Sequence, residues 1–172
     1  MEVNGFKIEP GAKLAGANLS HLDPGVQINL SGADLSGADL SGAFLMRSDL
    51  RGANLTNANL TNANLAYANL TSADLSNAKL SYANLAHANL EDAQMWEVNL
   101  EFANLLYAIM SSVNLRYSNL SYANLSYAYL FDASLQNVNL TGTDLSYATM
   151  HAVNLEGVDL SGAILNGTIM PE

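Results

Sequence analysis

Residues 53–65 read Ala53-Asn54-Leu55-Thr56-Asn57-Ala58-Asn59-Leu60-Thr61-Asn62-Ala63-Asn64-Leu65, and the same five-residue phrase extends in both directions. From Leu30 to Met170 every fifth residue, 29 positions in all, is Leu or Met. Ala stands two residues earlier at 19 of these positions, with Ser, Thr, Val or Ile at the rest, and Asn or Asp immediately precedes at 20. The unit is A(N/D)Lxx, and a repeat this regular decides the architecture before any local propensity is consulted.

A period of five fits no straight element. On an α-helix successive Leu residues would step round by about 140° and cover every face. On a flat strand an odd spacing would send alternate Leu residues to opposite sides, because side chains alternate with a period of two. The chain must therefore turn a corner within each unit. Ala and Leu, two apart, then share one face of a very short strand, and the Ser/Thr and Gly/Asn that follow supply the turn.

Ala33-Asp34-Leu35-Ser36-Gly37 and its copies resemble the pentapeptide-repeat proteins, a family common in photosynthetic bacteria, over residues 12–170. The resemblance implies an all-β fold: a right-handed quadrilateral parallel β-helix with four pentapeptides per coil and with Leu and Ala inside. About eight coils would stack into a rod of roughly 38 Å at the usual strand spacing. Its interior would be filled by side chains, leaving no ligand cavity.

The pattern breaks once. Leu14 and Leu19 belong to it, but Leu30 follows Leu19 by eleven residues instead of ten, and Asp23-Pro24-Gly25 is a strong turn signal, so a loop or bulge is expected over residues 21–27. Residues 1–11, with Phe6 and Ile8, are expected to cover the N-terminal end of the coil. Residues 12–170 form the β-helix, and 171–172 are a short tail.

Composition narrows function further. The formal net charge is −10, and Lys and Arg total six. Nucleic acid is thus an unfavourable partner, since phosphates are held by clustered cations. Residues 1–86 carry seven acids and five bases, and residues 87–172 carry nine acids and only Arg116. No Cys is present, and no apolar run approaches the length of a membrane span. No membrane partner is expected, and with no signal-peptide pattern at Met1–Gly11 a cytoplasmic location is expected. His21, His87 and His151 fall on separate coils, and the recurring Asp34, Asp39 and Asp49 suit turn stabilisation better than acid–base work. No catalytic, metal or cofactor site is therefore expected, and the chain is read as a non-enzyme.

The outward positions carry what remains. Seven of the eight Tyr residues occupy the last position of the repeat. Four units per coil would align Tyr67, His87, Tyr107, Tyr127 and Tyr147 in one column, and Tyr82, Phe102 and Tyr122 in another. Residues 91–110 depart furthest from the consensus, with Glu91, Asp92, Trp96, Glu97, Glu101, Phe102, Leu106 and Ile109. The expected partner surface comprises Trp96, Glu97, Glu101, Phe102, Arg116 and Tyr117, with Tyr107, Tyr127 and Tyr147 alongside, and Trp96 is expected to form a cation–π pair with Arg116. At the other end Ile164, Leu165, Ile169 and Met170 are expected to support a weak end-to-end homodimer. These features suggest a protein-interaction or regulatory scaffold with an unidentified protein partner. The alternatives are a purely structural rod and a DNA mimic, since one branch of the family binds DNA gyrase.

Overall fold

The computed structural model describes residues 2–3, 5–19 and 27–171. They form a right-handed, four-sided parallel β-helix. Parallel bridges join each residue of the Asn/Asp series to its counterpart 20 residues on: Asp34 to Asn54, Asn54 to Asp74, Asp74 to Gln94. Four pentapeptides thus complete one coil. Each side contributes a single bridged residue, held by two bonds: Leu35 N–H donates to Asn54 O at 2.7 Å, and Asn54 N–H donates to Ala33 O at 2.9 Å. A short antiparallel hairpin, β1 (Glu2–Val3) with β2 (Phe6–Lys7), precedes the coils.

The corners follow from the sequence. Ala38 N–H donates back to Leu35 O at 3.0 Å, closing a four-residue turn whose third residue lies in the left-handed region, at φ 63° for Gly37 and 58° for Asn57. Gly and Asn are the residues that reach this region at least cost. Asn and Asp also shape the exit from each strand. Asn54 Oδ1 accepts from the backbone N–H of Thr56 at 3.1 Å and from its hydroxyl at 2.8 Å. Asn has a further use that Asp lacks, because its amide donates to the coil below, as from Asn54 Nδ2 to Asp34 Oδ1 at 3.3 Å and from Asn139 Nδ2 to Asn119 Oδ1 at 3.0 Å. The turn-stabilising reading of Asp34, Asp39 and Asp49 matches these bonds.

Leu, Met and Ala fill the interior, and from Leu30 to Met150 the Leu/Met column is essentially inaccessible to solvent. The register slip is present: Lys13 pairs with Asp34 and Asn18 with Asp39, an offset of 21, whereas Asn29 pairs with Asp49 at 20. One additional residue is therefore absorbed between Asn18 and Asn29. Most of the expected loop at 21–27, with His21, lies outside the described residues; Gln27 is within them. Of the two apolar residues expected over the N-terminal end, Ile8 is buried in the core and Phe6 stands exposed. Towards the C-terminus Leu155, Leu160 and Leu165 are only partly buried.

Not every corner residue is open to solvent. Ser121, a corner residue whose replacement should be nearly free if it faced solvent, is only 6% exposed, and Ser76 and Ser126 are buried at equivalent corner positions. Ser121 stands in a column between the bulkier Glu101 and Thr141, Ser76 between Thr56 and Trp96, and Ser126 next to Leu106.

Ser at the Ala position behaves in two ways. Ser118 Oγ donates to Met95 O at 2.7 Å and accepts from Val98 N–H at 3.1 Å, replacing the usual turn bond with a side-chain bridge. Ser48 Oγ is equally buried and has no hydrogen-bond partner among the described residues. Ser118→Ala is expected to cost about 1–3 kcal/mol by orphaning two buried backbone groups, and Ser48→Ala to be neutral or to stabilise by about 1 kcal/mol. Chemical denaturation of the two variants checks this, and equal losses would contradict it.

Candidate aromatic surface

Asp92, Glu97, Phe102 and Tyr107 mark four successive corners of one coil, because each occupies the left-handed position of its turn, at φ 58°, 55°, 58° and 58°. The other outward residues stack above and below them. At the tyrosine corner, Arg47 lies 5.7 Å from the ring centroid of Tyr67. Tyr67 then stacks on His87 at 4.7 Å, His87 on Tyr107 at 5.1 Å, Tyr107 on Tyr127 at 4.8 Å and Tyr127 on Tyr147 at 4.9 Å. At the phenylalanine corner, Tyr82, Phe102 and Tyr122 stack at 5.1 and 5.0 Å. Spacings just above one strand separation place the rings in offset contact, the geometry aromatic pairs favour.

Both columns end on glycine. A methyl group on Gly142 would lie 2.5 Å from the Tyr122 ring, and one on Gly167 would lie 2.7 Å from the Tyr147 ring. Each last ring leans over the next coil, where only a hydrogen fits.

The expected partner residues separate into distinct places. Trp96, Glu97, Arg116 and Tyr117 share one corner, Glu101 and Phe102 share the next, and Tyr107, Tyr127 and Tyr147 stand at the corner diagonally opposite Trp96. Trp96, Phe102 and the Tyr residues are all exposed. The tryptophan and tyrosine groups therefore cannot form one continuous patch; Phe102 neighbours both. Arg116 does not engage Trp96. Its Nε donates instead to Gln136 Oε1 at 2.7 Å, one coil further on, and among the described residues the cation–π contact is Arg47 on Tyr67. Ile164, Ile169 and Met170 are exposed near the C-terminal end, with Leu165 partly buried.

Three aromatics escaped the sequence reading: Phe44, exposed at an Asn/Asp position of the N-terminal half, and a pair in the C-terminal half. Tyr129 and Phe131, each 44% exposed, lie with their rings 6.4 Å apart on the face beyond the tyrosine corner. Neither holds the last position of the repeat, where aromatics were sought. Tyr129 takes the place of Asn in a column that reads Asn69, Asn89, Ile109, Tyr129, Thr149 and Ile169. That loss of Asn at intervals of 20 was the available signal.

Among the described residues three of the shifted carboxylates, Asp34, Asp39 and Asp49, are turn acceptors. Asp34 lies below the ordinary carboxylate range because the Ser36 hydroxyl and then its backbone N–H donate to it, and Asp39 is lowered in the same way by Ser41. Asp49 is held down first by the Arg51 side chain, which it meets at 2.6 Å. These are turn bonds on an exposed surface. Among the described residues no group of three or more His, Asp or Glu side chains could hold a metal ion, and no helix is long and apolar enough to cross a membrane.

The comparisons agree with the architecture. No curated protein matches the chain in sequence. Among solved structures it resembles QnrB1, a plasmid-mediated fluoroquinolone resistance protein, with a TM-score of 0.84 at 18% identity over 94% of this chain and 91% of that one; at that identity the likeness is one of fold. It also resembles HetL from the cyanobacterium Nostoc, a pentapeptide-repeat protein involved in heterocyst differentiation regulation, at 33% identity and a TM-score of 0.53, over 94% of this chain and 80% of that one. Pentapeptide repeats, in eight copies, match residues 28–66, 58–96, 68–105, 93–130 and 128–167. With its coils, corners and inward Leu column, the chain belongs to the pentapeptide-repeat family.

Proposed function

We propose that the protein is a non-enzymatic interaction scaffold that presents exposed aromatic side chains from a rigid rod to a protein partner. One observation carries this reading. Tyr, Phe and His are held at φ near 58–60° at corners where Gly or Asn serve elsewhere in the same rod. A non-glycine residue there costs about 1 kcal/mol or more, and the side chains gained are exposed, as expected of a surface selected for contact. The resemblance to HetL, which is involved in heterocyst differentiation regulation, supports the same class of function.

The DNA-mimic alternative has the net charge in its favour but not the arrangement. The acids of the C-terminal half are divided among the sides of the rod: Glu91, Asp92 and Asp132 lie at one corner, Glu97 and Glu156 at another, Glu101 at a third, and Asp144 in the middle of a face. A gyrase supercoiling assay is therefore expected to show no inhibition at micromolar protein, and inhibition would replace the scaffold reading.

The direct test is capture of a partner from extract by the immobilised chain. Trp96→Ala with Phe102→Ala should weaken that capture while leaving the unfolding midpoint nearly unchanged. If the unmodified chain retains nothing specifically, the scaffold reading fails. Undiminished capture by the variant would remove the Trp96–Phe102 surface.

A further inference from the structure

The face between the tyrosine corner and the corner of Asp92 and Asp132 differs from the other three. Elsewhere in the rod the middle of a face is usually Asn or Asp engaged in turn bonds. Here, in the C-terminal half, that position becomes Ile109 and then Tyr129, flanked on one side by Tyr107, Tyr127 and Tyr147 and on the other by Phe131. All six side chains are exposed, between 43% and 55%. At about 200 Å² for an aromatic side chain, this leaves on the order of 500 Å² of exposed surface on these six residues, the size of the largest patch on a typical monomer, which is often functional.

We propose that this face docks a basic amphipathic segment of a partner protein, a reading that rests on the scaffold function above. Two observations select the occupant. The first is charge. Glu91, Asp92 and Asp132 line the far corner, with His151 one coil beyond Phe131, and the sole Lys or Arg of the half, Arg116, stands on a different corner and is bonded to Gln136. Apolar side chains of the partner meet Ile109, Tyr129 and Phe131, while Lys or Arg at its rim meets the acids and the phenol oxygens. The second is self-exclusion. A second copy carries the same formal net charge of −10, and laid face to face with its rod reversed it would bring the two acid corners together; like charges across an interface oppose association. Stacking also closes the Tyr ring faces to solvent and leaves their edges and hydroxyls outward, a surface half apolar and half hydrogen-bonding.

The probe is a Leu/Lys peptide patterned as an amphipathic helix, labelled and titrated with the full chain, beside a Leu/Glu peptide of the same pattern. The Leu/Lys peptide should bind and the Leu/Glu peptide should not. Tyr129→Ser with Phe131→Ser should weaken binding about tenfold or more, about 1.4 kcal/mol, and Glu156→Gln, an exposed acid on the remote corner, should not. Ile109→Lys, which keeps the corner aromatics, should produce a similar loss by charge repulsion even if the double variant proves unstable. Equal binding of both peptides, or equal loss from Glu156→Gln, would overturn the proposal. So would a dimer in sedimentation that the double variant disperses, since this would assign the face to a second copy. A captured partner lost on Trp96→Ala with Phe102→Ala but retained by Tyr129→Ser with Phe131→Ser would also overturn it, while leaving the scaffold function intact.

Discussion

Replacing Leu85 by Ala is expected to lower stability by about 2–5 kcal/mol, seen as a fall in the denaturation midpoint. Leu85 is wholly buried in a column with Leu65 and Leu105 on the neighbouring coils. Its backbone cannot move inward to close the cavity, because Leu85 N–H is fixed to Asn104 O at 2.7 Å and Ala88 N–H returns to Leu85 O at 2.9 Å. A residue held on both sides by main-chain ladders should show the upper part of that range. Glu97→Ala, on an exposed corner, should change stability by a few tenths of a kcal/mol at most. Similar losses at the two positions would mean that the inside and outside of the coil are assigned wrongly.

Gly142→Ala is the next largest expected effect, about 1–3 kcal/mol, for two separable reasons. At φ 68° any side chain is strained, and the added methyl group would collide with the Tyr122 ring at 2.5 Å. Relief requires that ring to swing away from Phe102, whose centroid it meets at 5.0 Å, so the loss propagates down the column. A double-mutant cycle isolates the second term. In a Tyr122→Ala background the cost of Gly142→Ala should shrink to the conformational part alone, about 1 kcal/mol. Strict additivity would show that the ring and the glycine are not coupled.

The inward half of the molecule was legible because a period of five forces a corner in every unit, and with the four units per coil that the family resemblance implied, the columns Tyr67 to Tyr147 and Tyr82 to Tyr122 followed by counting. The same count puts the corners of Glu97 and Tyr107 two units apart, on a diagonal, so the grouping of Trp96 with Tyr107 went against a signal that the sequence carries. Counting does not rank hydrogen bonds against ring contacts. Arg116 had both Trp96 and Gln136 within one coil, and the directional bond to Gln136 prevailed. The burial of Ser121 was invisible for a related reason, since exposure at a corner depends on the bulk of residues 20 positions away rather than on the residue itself. Tyr129 and Phe131 were overlooked because they break the rule by which aromatics were being found.

The 20-residue register makes this rod sensitive to the length of an insertion or deletion in an unusual way. Removing a whole coil from the middle would return every Leu, Asn and Tyr to its own column and shorten the object without altering its cross-section. Removing a single pentapeptide would also keep the core, since Leu would still replace Leu, but every outward residue beyond the cut would rotate to the neighbouring corner. The tyrosine column would then break into two halves a quarter-turn apart, with the fold preserved and the surface pattern rewritten. The slip of one residue between Asn18 and Asn29 belongs to a third kind, absorbed locally so that both the core and the columns resume in phase. Lineages that diverge by lost or gained pentapeptides can thus keep one interior while exchanging the faces they show to partners.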